Sequence, residues 1–264
     1  MGEHLPYKQG VTGSSPVPPI PGPYDPGILL RDPLTVSVPG RFNGPLASGN
    51  GGYSAGVFAG LLEGPAAVSL RSPVPLDRDL DVERDGDGLE VLDGETLVAS
   101  VEAAPELELK VPEPVSVEEA RNASASYRGL AEGEFCRCFV CGLVREDSLG
   151  IFAGAVEGRD VVASPWTPPA WSADSAGKVQ PQIVAAVLDC PTYFAAYIHD
   201  ELRSSFLARF QVRHDAPVPV EEEHVVVAWP SGVEGRKLQA GSAVLSADGT
   251  VLAVAQALLI EPRR

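Results

Sequence analysis

Apolar and polar positions alternate in two similar stretches of this chain, each interrupted by one helical run. From residue 34 the alternation predicts a short strand, Leu34 to Val38, then a helix over Gly51 to Leu62 with small residues on one face. Strands follow at Ala66 to Ser72, Leu80 to Arg84, Leu89 to Leu92 and Thr96 to Ala103. Asp85-Gly86-Asp87-Gly88 and Asp93-Gly94 mark the hairpin turns between them. The order then repeats. Leu149 to Ala155 and Arg159 to Ser164 read as strands, and Pro165 to Gly177 as a loop rich in proline and tryptophan. A helix opens at Pro181, a residue suited to a first helical turn, and runs to about Ile198. The last strands are Ser205–Val212, His224–Trp229, Leu238–Ser246 and Val251–Ile260, with a turn at Ala247-Asp248-Gly249.

Eight of the 25 prolines lie in residues 1–33, which show little periodicity and are expected to be disordered. Gly10 to Val17 resembles the translated end of a transfer-RNA gene, which would put the native start downstream. Residues 113–135 are polar and proline-containing and read as a linker, with Val117 to Arg121 helical. The expected division is therefore 34–112 and 136–264 on either side of that linker.

The chain has 264 residues and is 44% apolar, enough for one large domain or two small ones. It has no apolar run long enough for a membrane-spanning helix and no recognisable secretory leader, and its four cysteines do not read as a disulfide framework. A cytoplasmic location is the expectation. A net charge of −16 argues against nucleic acid and anionic membranes as partners. A polyanionic ligand would need a local basic patch, for which Arg71, Arg78, Arg203, Arg209, Arg213, Arg236 and Lys237 are the available cations.

The two helix openings align without a gap, Asn50 to Ala59 against Gln180 to Asp189. The first keeps Gly51 and Gly52 and ends in Ala59; the second has Pro181 and Gln182 and ends in Asp189. A helix followed by a strand meander, twice in one chain, resembles the double-hotdog acyl-CoA thioesterases. That resemblance implies an α+β tandem (double) hotdog, two antiparallel sheets each wrapping a central helix, with no metal or redox cofactor. The family's helix commonly opens His-Gly-Gly, and here Asn50-Gly51-Gly52 stands in that place. An amide at those glycines would stabilise the thioester oxyanion, because helix N-termini leave N–H groups unpaired. Asp189, the one acid within Ile183 to Tyr197, occupies the place of the family's base or nucleophile.

Eight residues at about 1.5 Å rise put Asp189 roughly 12 Å from its own helix start. The acid must then face the other helix start, giving one composite site of Asp189 with Gly51 and Gly52. The reciprocal pairing, Pro181 and Gln182 with Ala59, lacks both the acid and one N–H and is expected to be inactive. Asn43 is a candidate to orient water or the substrate carbonyl, Thr192 to orient the carboxylate or the attacking water, and Asn50 to orient water or substrate. An acyl chain between the helices would be lined by Tyr53, Val57, Val184 and Leu188. Acyl-CoA or a related thioester is the implied partner, with a homodimer also compatible. A non-catalytic acyl binder is the alternative.

Two other motifs carry possible chemistry. Cys136, Cys138 and Cys141 suggest zinc, but a structural zinc site needs four ligands, only Cys190 remains and no histidine is near in sequence, so no metal is expected. Cys138-Phe139-Val140-Cys141-Gly142 with Leu149-Gly150 also resembles a structural segment of hotdog thioesterases. Gly52-Tyr53-Ser54-Ala55-Gly56 matches a nucleophile elbow, with Asp189 and His214 in the right order, but a polar loop precedes it where an apolar strand is required.

Overall fold

The computed structural model describes residues 34–129, 132–133 and 135–263; the expectations for residues 1–33 lie outside them. In chain order the elements are β1 (Thr35–Ser37), α1 (Gly51–Ala59), β2 (Ala66–Leu70), β3 (Asp79–Asp85), β4 (Gly88–Asp93), β5 (Thr96–Ala103), α2 (Val117–Ser124), β6 (Gly154–Ala155), β7 (Val162–Trp166), α3 (Pro181–Ala196), β8 (Phe206–His214), β9 (His224–Glu234), β10 (Lys237–Ser246) and β11 (Val251–Ile260).

All the strands join one antiparallel sheet in the order β1-β3-β4-β5-β2-β8-β11-β10-β9-β7-β6. This corrects the expectation of two sheets. The halves meet through β2 and β8, with Val68 opposite Phe210, so what would be two exposed strand edges satisfy one another. On either side of this seam the strand order is the same: β1-β3-β4-β5-β2 matches β7-β9-β10-β11-β8. The lead-in to each central helix is also repeated, 130 positions apart. A one-turn 3-10 helix spans Gly40–Phe42 and again Ala170–Ser172. A bridge then pairs Asn43 with Gly49, and Ala173 with Val179. Finally Asn50 N–H donates to the Phe42 carbonyl at 2.8 Å, and Gln180 N–H to the Ser172 carbonyl at 2.9 Å.

The two central helices pack against each other within the main core. Their closeness has a sequence cause. A Cβ on Gly52 would lie 2.5 Å from the Ala185 carbonyl oxygen, and one on Gly56 would lie 2.8 Å from both Gln182 Cα and Ala185 Cβ. Only glycine fits at either place. On α3, Ile183, Val184, Val187 and Leu188 are 1% exposed or less, each contributing about 1.5–3 kcal/mol relative to exposure.

The helix α3 continues through Pro191, which has no N–H for the Val187 carbonyl. Two neighbouring carbonyls also take side-chain donors: Ser242 Oγ of β10 donates to Leu188 O at 2.7 Å and Thr192 Oγ1 to Asp189 O at 2.6 Å.

The 113–135 segment holds more structure than a linker. Ser116 and Glu119 form a capping box at the start of α2. Ala120 and Ala123 then pack with Val161, Ala163, Val225 and Val227. With α2 on one side and α3 on the other, the first six residues of β9 are all buried, which is why Val225 to Trp229 is continuously apolar.

Two strand limits differ from the sequence expectation by five residues. The strand read at Leu149 to Ala155 is reduced to β6. Leu149 and Ile151 give their N–H groups to the carbonyls of Phe139 and Val140, so the segment braces the cysteine loop rather than a ladder. At the other limit, β9 runs past Trp229 to Glu234. Pro230 is carried by a register shift opposite Gln239 and Ala240, a bulge being one of the few places a strand tolerates proline.

Candidate functional site

The start of α1 leaves four N–H groups without helical partners. Three have partners elsewhere. Asn50 N–H uses Phe42 O, Tyr53 N–H uses the Asn50 side-chain oxygen at 2.8 Å, and Gly52 N–H uses Asp189 Oδ2 at 2.7 Å. The fourth is half-buried Gly51, whose N–H meets no protein acceptor among the described residues. A Cβ built on Gly51 would lie 3.2 Å from Asp189 Oδ2, so the carboxylate sits against both glycines. The structure thus brings Asp189, Gly51 and Gly52 together from opposite halves of the chain.

Asp189 is 8% exposed. Burial pushes its carboxyl up to about 7, against the opposing pull of the Gly52 N–H, and the nearby Cys138 sulfur adds to the rise. A carboxyl so placed exchanges a proton near neutrality, where a general acid or base works best.

The other candidate residues occupy different positions. The Asn43 amide nitrogen donates to the carbonyls of Gly44, Pro45 and Arg137, and its oxygen accepts from Arg145 at 2.6 Å. Asn43 therefore ties two loops together, and its polar atoms are engaged there. The Thr192 hydroxyl is fully buried on the Asp189 main-chain carbonyl, not on the carboxylate. Asn50 caps α1, and its amide nitrogen faces the sulfurs of Cys138 and Cys190 at 3.9 and 3.7 Å. Tyr53 stacks on Phe42 with ring centroids 4.0 Å apart, and Val57, Val184 and Leu188 are core residues. Gly56 and Ala185 approach closely across the two helices.

A cavity of about 220 Å³ lies instead at the reciprocal helix start, lined by Ala55, Ala59, Val68, Pro181, Phe210 and His214 among others, with no acid. Ala59 and Pro181 share this cavity, as the alignment requires. Ser54 is fully buried inside α1, not at an exposed elbow. Of the basic residues considered for a polyanion patch, Arg78, Arg203, Arg209 and Arg213 each pair with a carboxylate.

Sequence reasoning missed one convergence. Cys138, Cys141 and Cys190 bring their sulfur atoms within 4.8 Å of one another. The signal was present: Cys190 follows Asp189, and Asp189 had to reach the Asn50 end of α1.

No protein-family model and no curated protein matches this chain. Solved structures do. A conserved protein of unknown function with a hot dog fold from Alicyclobacillus acidocaldarius aligns over 87% of this chain and 93% of its own, at 13% identity and TM-score 0.54. The tesB protein of Mycobacterium avium subspecies paratuberculosis aligns over 87% and 92%, at 12% identity and TM-score 0.50. A thioesterase superfamily protein aligns over 46% of this chain and 61% of its own length, at 20% identity and TM-score 0.42. The chain thus spans about three fifths of that last structure. It has the hot dog fold. No helix among the described residues is long and apolar enough to cross a membrane.

Proposed function

We propose that this protein is a thioester hydrolase built as a double hotdog, acting on acyl-CoA or a related thioester. The observation that carries the reading is the Asp189 carboxylate of one half seated on the Gly51-Gly52 helix start of the other. The repeated strand order and the 130-residue repeat of the helix lead-ins support two hotdog units sharing one sheet.

In this reading the thioester carbonyl oxygen takes the N–H of Gly51, the amide at this helix end without a protein acceptor. Asp189, held in place by Gly52, removes a proton from water as water oxygen bonds to the carbonyl carbon. The tetrahedral intermediate keeps its negative oxygen on the helix N-terminus. Collapse breaks the C–S bond, and the thiolate leaves with a proton returned from Asp189. Direct attack by the carboxylate, with later hydrolysis of the anhydride, uses the same geometry. Asn50 shapes the site through the cap, while Asn43 and Thr192 act by holding loop and helix.

A second reading is favoured by the acid-free cavity at Pro181 and Ala59: an apolar ligand held there without turnover. Coenzyme A release by the purified protein, across acyl-CoAs from acetyl to long-chain and aromatic, tests the first. Saturable release supports hydrolysis. Equilibrium binding of an acyl-CoA with no release would replace it with the second.

A further inference from the structure

The loop Cys138-Phe139-Val140-Cys141-Gly142 is folded tightly around its own first sulfur. Val140 N–H points at Cys138 Sγ at 3.4 Å, and Gly142 N–H closes the turn on the Cys138 carbonyl at 2.9 Å. A Cβ on Gly142 would fall 2.6 Å from the main chain of Cys138, so the turn needs glycine after its second cysteine. Phe139 anchors it in the core against Phe42 and Tyr53. The turn therefore presents two sulfurs on one side of a rigid loop.

The third sulfur comes from the opposite direction, on α3. Cys190 Sγ lies 3.8 Å from Cys138 Sγ, and the three sulfurs are all within 4.8 Å. Zinc–thiolate bonds of about 2.3 Å in a tetrahedron put neighbouring sulfurs about 3.8 Å apart. The Asn50 amide nitrogen reaches both Cys138 and Cys190, at 3.9 and 3.7 Å, with its orientation fixed because its oxygen caps α1. Buried cysteines that merely fill space need no donors. Here a main-chain N–H and a carboxamide are aimed at the sulfurs, as supporting donors are around metal-bound thiolates. None of the four cysteines is in a disulfide.

We propose that Cys138, Cys141 and Cys190 form a three-thiolate site for one zinc ion. A water molecule completes the tetrahedron, since three protein ligands leave one corner open. The ion cross-links the loop to α3 one residue beyond Asp189. Through Asn50 it also braces the cap of α1. The site is a property of the thiols alone and holds whatever reaction Asp189 performs.

The test uses the full chain kept reduced with a phosphine. Zinc content is measured after equilibration and gel filtration, cobalt is substituted for zinc, and zinc affinity is measured by competition with a chromophoric chelator. One zinc per chain is expected, and the cobalt form should show thiolate-to-cobalt charge-transfer absorption in the near ultraviolet. Cys138→Ser and Cys190→Ser should each weaken zinc at least about 100-fold, the upper end of what loss of a supporting residue costs. Cys136→Ser should leave affinity unchanged. Zinc below stoichiometric traces, or a cobalt form without the thiolate band, would overturn the site; both readings use the unmutated protein, so they stand even if a variant fails to fold. Equal affinity in the folded Cys138→Ser and Cys190→Ser variants would overturn it as well.

Discussion

The Asp189 carboxylate of α3 accepts a 2.7 Å hydrogen bond from Gly52 N–H of α1, across 137 residues of chain. Neither helix carries both members of the pair, and the glycines that let the helices touch also bring the acid to the amide. Packing and chemistry depend on the same residues.

Burial of Asp189 makes its charge costly, with a definite sign. The folded carboxyl titrates near 7 and the unfolded one near about 3.9. Between those values the folded state binds a proton that the unfolded state does not. Stability therefore falls as pH rises from about 4 to about 7 and is level above that. Asp189→Asn removes the titration but keeps an acceptor for Gly52 N–H. The variant should melt higher than the wild type, by a margin that is larger at pH 8 than at pH 5. Both proteins share every other titrating group, so the difference reads this carboxyl together with its coupling to the nearby Cys138 sulfur; an equal margin at the two pH values would contradict the assigned environment.

Gly52→Ala should destabilise the fold by about 1–3 kcal/mol or more. Its Cβ would meet Asp189 Cβ at 2.4 Å and the Ala185 carbonyl at 2.5 Å, and main chain cannot swing aside as a side chain can. Gly56→Ala should act in the same direction against Gln182 and Ala185. Gly232→Ala, with nothing nearer than 3.8 Å, serves as a control with little change expected. Chemical denaturation midpoints decide the ranking.

Ser242→Ala removes the buried hydroxyl that donates to Leu188 O beside the proline-interrupted turn. The loss of one buried hydrogen bond costs about 0.5–1.5 kcal/mol. Stability should drop by that order. Thr is the informative rescue, because it keeps the hydroxyl.

Much of the fold could be read from the chain because its signals are local. Asn50 and Pro181 announce helix starts, Asp85 to Gly88 announces a hairpin, and the gapless alignment of the helix openings carries the pairing of Asp189 with Gly52 once helical rise is applied. Contacts made only in three dimensions were hidden. The β2–β8 seam joins edges whose sequences carry no mark of their partner. Pro230 ends the apparent strand, but a bulge lets β9 continue. Asn43 and Thr192 are suitable residue types in suitable places, yet their side chains are held on main-chain carbonyls of a loop and of α3 itself. The cysteines looked incomplete as a set because the third member arrives from a different element.

The most direct test of the hydrolase reading compares coenzyme A release by the wild type and by Asp189→Asn on the best acyl-CoA of the panel. A positioned general base contributes about 100- to 10,000-fold. A fall of that size in kcat is expected for a folded variant that still binds the substrate. Undiminished release by Asp189→Asn would contradict the assignment of Asp189 to the chemistry.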